Sequence, residues 1–142
     1  MRVMVLMKAA ETEQTGEPPA EIVDAMLKYN EELVKAGVLL AGEGLHASER
    51  GAMVTFEAGQ TTIVDGPFTE AKELIAGFWM FQVGSMDEAL EWVKRHPAAA
   101  GGPGAAKVVL ELREVFDPDQ FVGNLPDDLV EKEKRLRRQL GE

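Results

Sequence analysis

The chain has 142 residues, which is long enough for one domain with a hydrophobic core of its own. It contains no cysteine, which excludes disulfides and thiolate sites and predicts a cytoplasmic protein. The formal net charge of −10 argues against direct nucleic-acid binding, and no apolar run approaches the roughly 20 residues that span a membrane.

The first half of the sequence predicts a strand, a helix, a second strand and a hairpin. Residues 2–8 are almost wholly apolar, which is typical of a central strand. Pro18-Pro19 opens a helix with apolar residues at helical spacing, and Gly37 ends it. The strands that follow are predicted at residues 38–41, 52–57 and 61–64, the last two joined as a hairpin.

The second half predicts another strand, helix and strand. After a turn at Asp65 and a short helical piece, residues 77–83 form a strongly aromatic strand. Ser85 and Glu88 have capping-box spacing, so a second helix begins there and Pro97 stops it. Alternating residues 107–115 supply the last main strand.

This order of elements predicts an α+β fold of the ferredoxin-like, split βαβ type with an inserted hairpin. Two helices would cover one face of an antiparallel sheet, and the bare apolar face predicts a homodimer formed through the sheets. We expect residues 1–118 to form this domain and residues 119–142 to form a helical extension. The tail helix, residues 126–140, carries Leu129, Leu136 and Leu140 at spacings of seven and four. Three leucines seldom stabilise a free helix, so this helix should dock on its own domain or on the partner subunit; a freely solvated helix is the alternative.

The most informative stretch is Asp65-Gly66-Pro67-Phe68, which follows a β-type segment. Gly supplies backbone freedom and Pro fixes the next φ, so the chain must turn sharply here. Asp65 then stands at a strand end, a common place for binding and catalytic groups. A purely structural role, with the Asp65 carboxylate accepting a hydrogen bond from the turn backbone, is the alternative.

Two histidines are candidates for acid/base chemistry. His46 follows a strand end and could act as a general acid or base, with Asp65 orienting its ring; an exposed loop histidine is the alternative. His96 lies at the end of a helix before Pro97, where a cation would favour the helix dipole, so we expect it to cap the helix.

Other polar and aromatic residues could contact a substrate. Glu43, Glu70 and Lys72 are candidate binding residues, although surface ion pairing would explain them equally. A zinc site is not expected, because cysteine is absent and the histidines are far apart. Glu43, Glu70 and Glu73 could join Asp65 in a carboxylate cluster that binds a hard cation, but surface ion pairing is the default and no metal is expected. Trp79 packs in the core or in a dimer contact, or lines a ligand pocket.

Several motifs, in the same order, resemble the YCII-related proteins of the DGPF-motif branch. The resemblance covers most of the chain. The motifs that carry it are residues 1–8, Tyr29-Asn30-Glu31-Glu32-Leu33, residues 36–39, Gly42-Glu43-Gly44-Leu45-His46, residues 65–73, Gly77-Phe78-Trp79 and residues 88–92.

The resemblance implies a dimeric α+β barrel with an active-site pocket that holds a His-Asp pair, here His46 and Asp65. Two hypotheses follow. The first is a cofactor-independent small-molecule enzyme of lyase, isomerase or dehalogenase type, with His46 as acid/base. The second is a ligand-sensing or accessory module without turnover, linked to transcription, because family members occur fused or adjacent to sigma factors.

Overall fold

The computed structural model describes residues 1–9, 18–68, 74–101, 107–121 and 123–141. These residues form six strands and three α-helices. Their bounds are β1 Arg2–Ala9, α1 Ala20–Lys35, β2 Leu39–Gly44, β3 Ala52–Glu57, β4 Gln60–Asp65, β5 Leu74–Gln82, α2 Met86–Val93, β6 Val109–Glu114 and α3 Asp127–Gln139. The short helical piece predicted after Asp65 falls on residues 69–73, outside the described residues.

The main sheet has four antiparallel strands in the order β2-β5-β1-β6. Because β3 and β4 pair separately as a hairpin, this order is that of a split βαβ unit, and the predicted ferredoxin-like α+β fold is confirmed. Strand β1 is central because its run of apolar residues suits a strand covered by neighbours on both edges.

The hydrophobic core lies between one face of this sheet and the first two helices. Val3 pairs with Phe81, and Val5 with Trp79, so these four side chains share a face. They pack with Leu33 of α1 and with further core residues from both helices and adjoining segments, namely Tyr29, Val38, Val83 and Ala89. Strand alternation therefore sets which face the helices cover.

The opposite face of the sheet carries a second set of apolar side chains. Met4 pairs with Met80, and Leu6 with Phe78, so all four point away from the core. Each is half-buried. This is the apolar face that the sequence predicts.

The local signals for helix α2 and the hairpin are confirmed. The Glu88 N–H donates to Ser85 Oγ at 3.1 Å, and Glu88 Oε2 accepts from the Gly84 N–H at 2.6 Å. The hairpin turns through Ala58 and Gly59, both at positive φ, which matches the twist of the strands. Every residue of both hairpin strands is exposed on both faces.

Helix α3 lies within the predicted tail, but its leucines do not dock within the chain. Leu129, Leu136 and Leu140 are all exposed, whereas their neighbour Val130 is 5% exposed. An ion pair of 2.7 Å joins Lys134 on the helix to Asp119. Val130 and this ion pair thus hold α3 against the segment that carries Asp119, whereas the three leucines are left exposed. Docking of the helix on a partner subunit stays a prediction. Within the described residues no helix is long and apolar enough to cross a membrane.

The prediction that His96 acts as a capping cation is wrong, because its ring is buried. His96 is 6% exposed and lies 5.6 Å, centroid to centroid, from the rings of both Tyr29 and Trp79. Its Nδ1 accepts from the Ala98 N–H at 3.0 Å, and its Nε2 has no hydrogen-bond partner among the described residues. Burial lowers the pKa of His96 below its ordinary value, so the ring is held neutral.

We predict that this buried ring makes the fold sensitive to mild acid. The unfolded chain takes up a proton near pH 6.5, the ordinary value for His96, and the folded chain does so only at lower pH. The free energy of unfolding should therefore fall as pH drops below about 6.5. In His96→Asn, whose side-chain oxygen can still accept from Ala98, urea unfolding across pH should lose this part of the slope. Identical pH profiles for the two proteins would contradict the prediction.

Candidate active site

A cavity of about 650 Å³ opens at the end of the main sheet where the hairpin begins. Its wall comes from the loop after β2, the 3-10 turn Ser48–Arg50, the start of β3, the segment after β4 and the start of β5. The Leu45 N–H donates to the Ala76 carbonyl at 2.8 Å, which holds the loop beside β5. The lining side chains are apolar except for three polar ones, His46, Ser48 and Arg50.

His46 and Arg50 are in direct contact at this cavity. Arg50 Nη1 lies 3.1 Å from His46 Nε2, and the 3-10 turn between them brings residues four apart in sequence together. A guanidinium only donates, so in this contact Nε2 accepts and the proton of the neutral ring is on Nδ1. Both residues are exposed. Nε2 is thus the ring nitrogen that faces the guanidinium.

The Asp-Gly-Pro turn packs directly against the turn that carries Arg50. The Gly66 N–H donates to the Gly51 carbonyl at 3.0 Å, and the Phe68 N–H donates to Ser48 Oγ at 3.0 Å. A Cβ atom on Gly66 would overlap the Ser48 carbonyl, so a side chain is excluded there. The Gly66–Pro67 peptide bond is cis. This packing places Phe68 in the cavity wall.

Asp65 lies near the cavity but not in the wall that the structure describes. It is the last residue of β4, it pairs in register with Ala52, and its side chain is exposed. No hydrogen bond joins Asp65 to His46, both of which are described residues. Pairing of the two therefore stays a prediction.

The remaining candidate substrate contacts are spread over the molecule. Glu43 is exposed on β2 opposite Phe78, and does not line the cavity. Trp79 is 6% exposed in the core, where its indole N–H donates to Asn30 Oδ1 at 2.9 Å. Packing in the core therefore accounts for this large aromatic residue on β5 without a ligand. Glu70 and Lys72 lie outside the described residues.

Sequence reasoning missed Arg50 and the role of Phe68. Arg50 follows His46 by four residues in a Ser-Glu-Arg-Gly segment, which would have suggested a turn that returns toward the histidine. Phe68 belongs to the motif that first drew attention, but only the packing of two turns shows where its ring lies. Within the described residues no three histidine or carboxylate side chains gather as metal ligands would.

Comparison with known proteins identifies a domain over most of the chain. The sequence model of the YCII-related domain matches residues 1–113. An uncharacterized protein of Rhizobium meliloti (strain 1021) is 35% identical over 75 residues, which are 53% of this chain. The matched region spans 60% of that relative's length.

Among solved structures, a similar one has low sequence identity. It is 5-chloro-2-hydroxyhydroquinone dehydrochlorinase (TftG) from Burkholderia phenoliruptrix AC1100, in complex with 2,5-dihydroxybenzoquinone. The match has a TM-score of 0.37 and 16% identity, over 82% of this chain and 96% of that one. A TM-score this low supports no inference about the chemistry of this chain.

We predict that Gly66 is required for the fold around the cavity. In Gly66→Ala the new methyl group meets the Ser48 backbone, so the two turns must separate, at a cost of about 1–3 kcal/mol in the free energy of unfolding. Gly44→Ala is the matched control, because a Cβ there meets no atom within 4 Å. Urea unfolding measures both changes, and the control should stay within about 0.5 kcal/mol. Equal stability of the two variants would show that the close approach is unimportant.

Proposed function

The chain belongs to the YCII-related family over residues 1–113, and from its cavity we propose that it is a small-molecule enzyme in which His46 transfers a proton. The observation that carries the proposal is the His46 ring in the cavity wall, with Nε2 held as an acceptor by Arg50. A general base accepts a proton through such a ring nitrogen, once its hydrogen bond with Arg50 is exchanged for the substrate.

The cavity suits a small organic molecule. Its volume of about 650 Å³ falls within the range of about 300–1,000 Å³ that is usual for ligand sites. Such sites are mostly apolar with a few polar groups that orient the ligand, and this wall has that composition.

The proposed chemistry is cofactor-independent proton transfer. His46 Nε2 takes a proton from carbon or oxygen of the substrate, and the electron pair stays on the substrate. In a lyase or dehalogenase reaction that pair expels a leaving group from the neighbouring atom, whereas in an isomerase reaction His46 returns the proton elsewhere. Asp65 is proposed to accept from the Nδ1–H of His46 and so to orient the ring. Glu70 and Lys72, between Phe68 and Leu74 in the sequence, are proposed substrate contacts.

A non-catalytic ligand-sensing module, linked to transcription, is the second candidate. It is favoured by the absence of a hydrogen bond between His46 and Asp65, both described residues, and by an apolar wall that would bind without reacting. In this case the same cavity holds a ligand, but His46 moves no proton.

The two candidates differ in what His46 does. We predict that His46→Gln lowers the rate of proton exchange or dehalogenation by roughly 100-fold or more, as removal of a general base does. The assay is a panel of small halogenated and hydroxy acids in D2O, followed by NMR. Glu57→Gln, at the far end of the hairpin, is the control and should keep the wild-type rate. Equal rates in wild type and His46→Gln would exclude a catalytic role for this residue and favour the sensor.

We further propose that the chain forms a homodimer through the sheet face that carries Met4, Leu6, Phe78 and Met80. Stable interfaces bury about 1,200–2,000 Å² in total, and an apolar sheet face is suited to supply the centre of one.

In analytical ultracentrifugation the wild type should therefore sediment at twice the chain mass of 15.5 kDa. Leu6→Lys places a charge on the proposed interface and should shift the protein to monomers with unchanged circular dichroism. Leu27→Lys is the control, because this side chain is 57% exposed on α1, away from that face. A monomeric wild type at micromolar concentration would contradict the proposal.

A further inference from the structure

The charge of the cavity wall is opposite to that of the chain as a whole. The sequence has 25 acidic and 15 basic residues, yet among the described lining residues there is an arginine and no carboxylate. A guanidinium presents a planar fork of donors that can bind two oxygens of an anion in parallel. The wall therefore favours a negatively charged ligand.

Arg50 also differs from many other cations of this chain in its partner. Lys8, Lys28, Lys94, Lys134 and Arg137 each pair with a carboxylate in the described structure. The hydrogen bond described for Arg50 goes instead to the neutral ring of His46. A neutral nitrogen is a weaker acceptor for a guanidinium than a carboxylate, which can take two parallel hydrogen bonds.

We propose that Arg50 binds the anionic group of the substrate, and that the substrate is a small apolar organic anion such as a ring-sized carboxylate. The substrate body lies against Leu45, Met53, Phe68, Leu74 and Ile75, which supply the apolar part of the wall. The guanidinium holds the anionic oxygens at the polar end, next to His46.

Binding of the anion has a consequence for His46, which rests on the proposed function. The substrate oxygens replace His46 Nε2 as the acceptor for Arg50, so one hydrogen bond breaks and one or two stronger ones form. No proton moves in this exchange, and the guanidinium remains protonated. The electron pair on Nε2 is thereby released next to the bound substrate. Arg50 thus acts as a specificity residue that frees the base when an anion arrives.

Three small-molecule probes separate the effect of charge from that of apolar contact. Benzoate has both the ring and the anionic group, benzamide has the same shape without the charge, and acetate has the charge without the ring. Titrations of ¹⁵N-labelled protein, followed by NMR at the His46 imidazole nitrogens, give affinities and report the release of Nε2.

Benzoate is expected to bind about tenfold or more tightly than benzamide, the usual effect of a charge-assisted hydrogen bond, and also more tightly than acetate. Arg50→Gln should abolish the preference for benzoate over benzamide, and Arg50→Lys should retain part of it. Arg135→Gln, an exposed arginine on α3, is the matched control and should keep the full preference.

Undetectable binding of benzoate, equal affinity for benzoate and benzamide, or an unchanged preference in Arg50→Gln would each overturn the inference. Acetate binding as tightly as benzoate would overturn its apolar part. Failure of this anion-site proposal can be told apart from failure of the proposed enzyme function. An Arg50-dependent preference for benzoate, without any His46-dependent turnover, supports the anion site and contradicts the proposal that the protein is an enzyme. Turnover that depends on His46 but is unaffected by Arg50→Gln supports the proposed enzyme function and contradicts the proposed anion site.

Discussion

The close approach of the Gly66 backbone to the Ser48 carbonyl is the constraint on which the candidate site depends. It fastens the exit of the hairpin to the turn before its entry, and two hydrogen bonds, Gly66 to Gly51 and Phe68 to Ser48, fix the register of the contact. His46, Arg50 and Phe68 belong to the segments joined there. The packing of the Asp-Gly-Pro-Phe motif therefore forms part of the cavity wall, and this structural role does not depend on any chemistry of Asp65.

The fold could be predicted because its signals are local and redundant. The apolar run of β1, the helical spacing in α1 and the capping box at Ser85 each specify an element, and short connections leave few ways to arrange them. The inserted hairpin was readable from β-branched residues on both sides of a glycine turn. All of these features depend on residues close together in the sequence, and sequence periodicity detects such local patterns.

The site was only partly predictable, because side-chain direction at strand ends and in turns is set by tertiary packing. Sequence reasoning placed His46 at a strand end, but nothing local indicated that Arg50 would return to its ring. It also predicted that His96 caps the helix as a cation. The aromatic rings of Tyr29 and Trp79 bury that imidazole, and neither adjoins it in sequence. For Trp79 the sequence allowed either packing or a place in a ligand pocket, and the hydrogen bond from its indole to Asn30 favours packing in the core.

The hairpin differs from the main sheet in how its backbone is protected. Its twelve strand residues are all exposed, and a two-stranded ribbon without a covered face is at most marginally stable. Amide hydrogens of β3 and β4 should therefore exchange through local opening, long before those of β1 and β5, whose alternate residues are buried. Met53 of β3 lines the cavity, so part of the cavity wall belongs to a segment that is expected to open more readily than the main sheet. A ligand or a partner subunit that covers the hairpin would therefore stabilise the hairpin and the cavity wall at the same time.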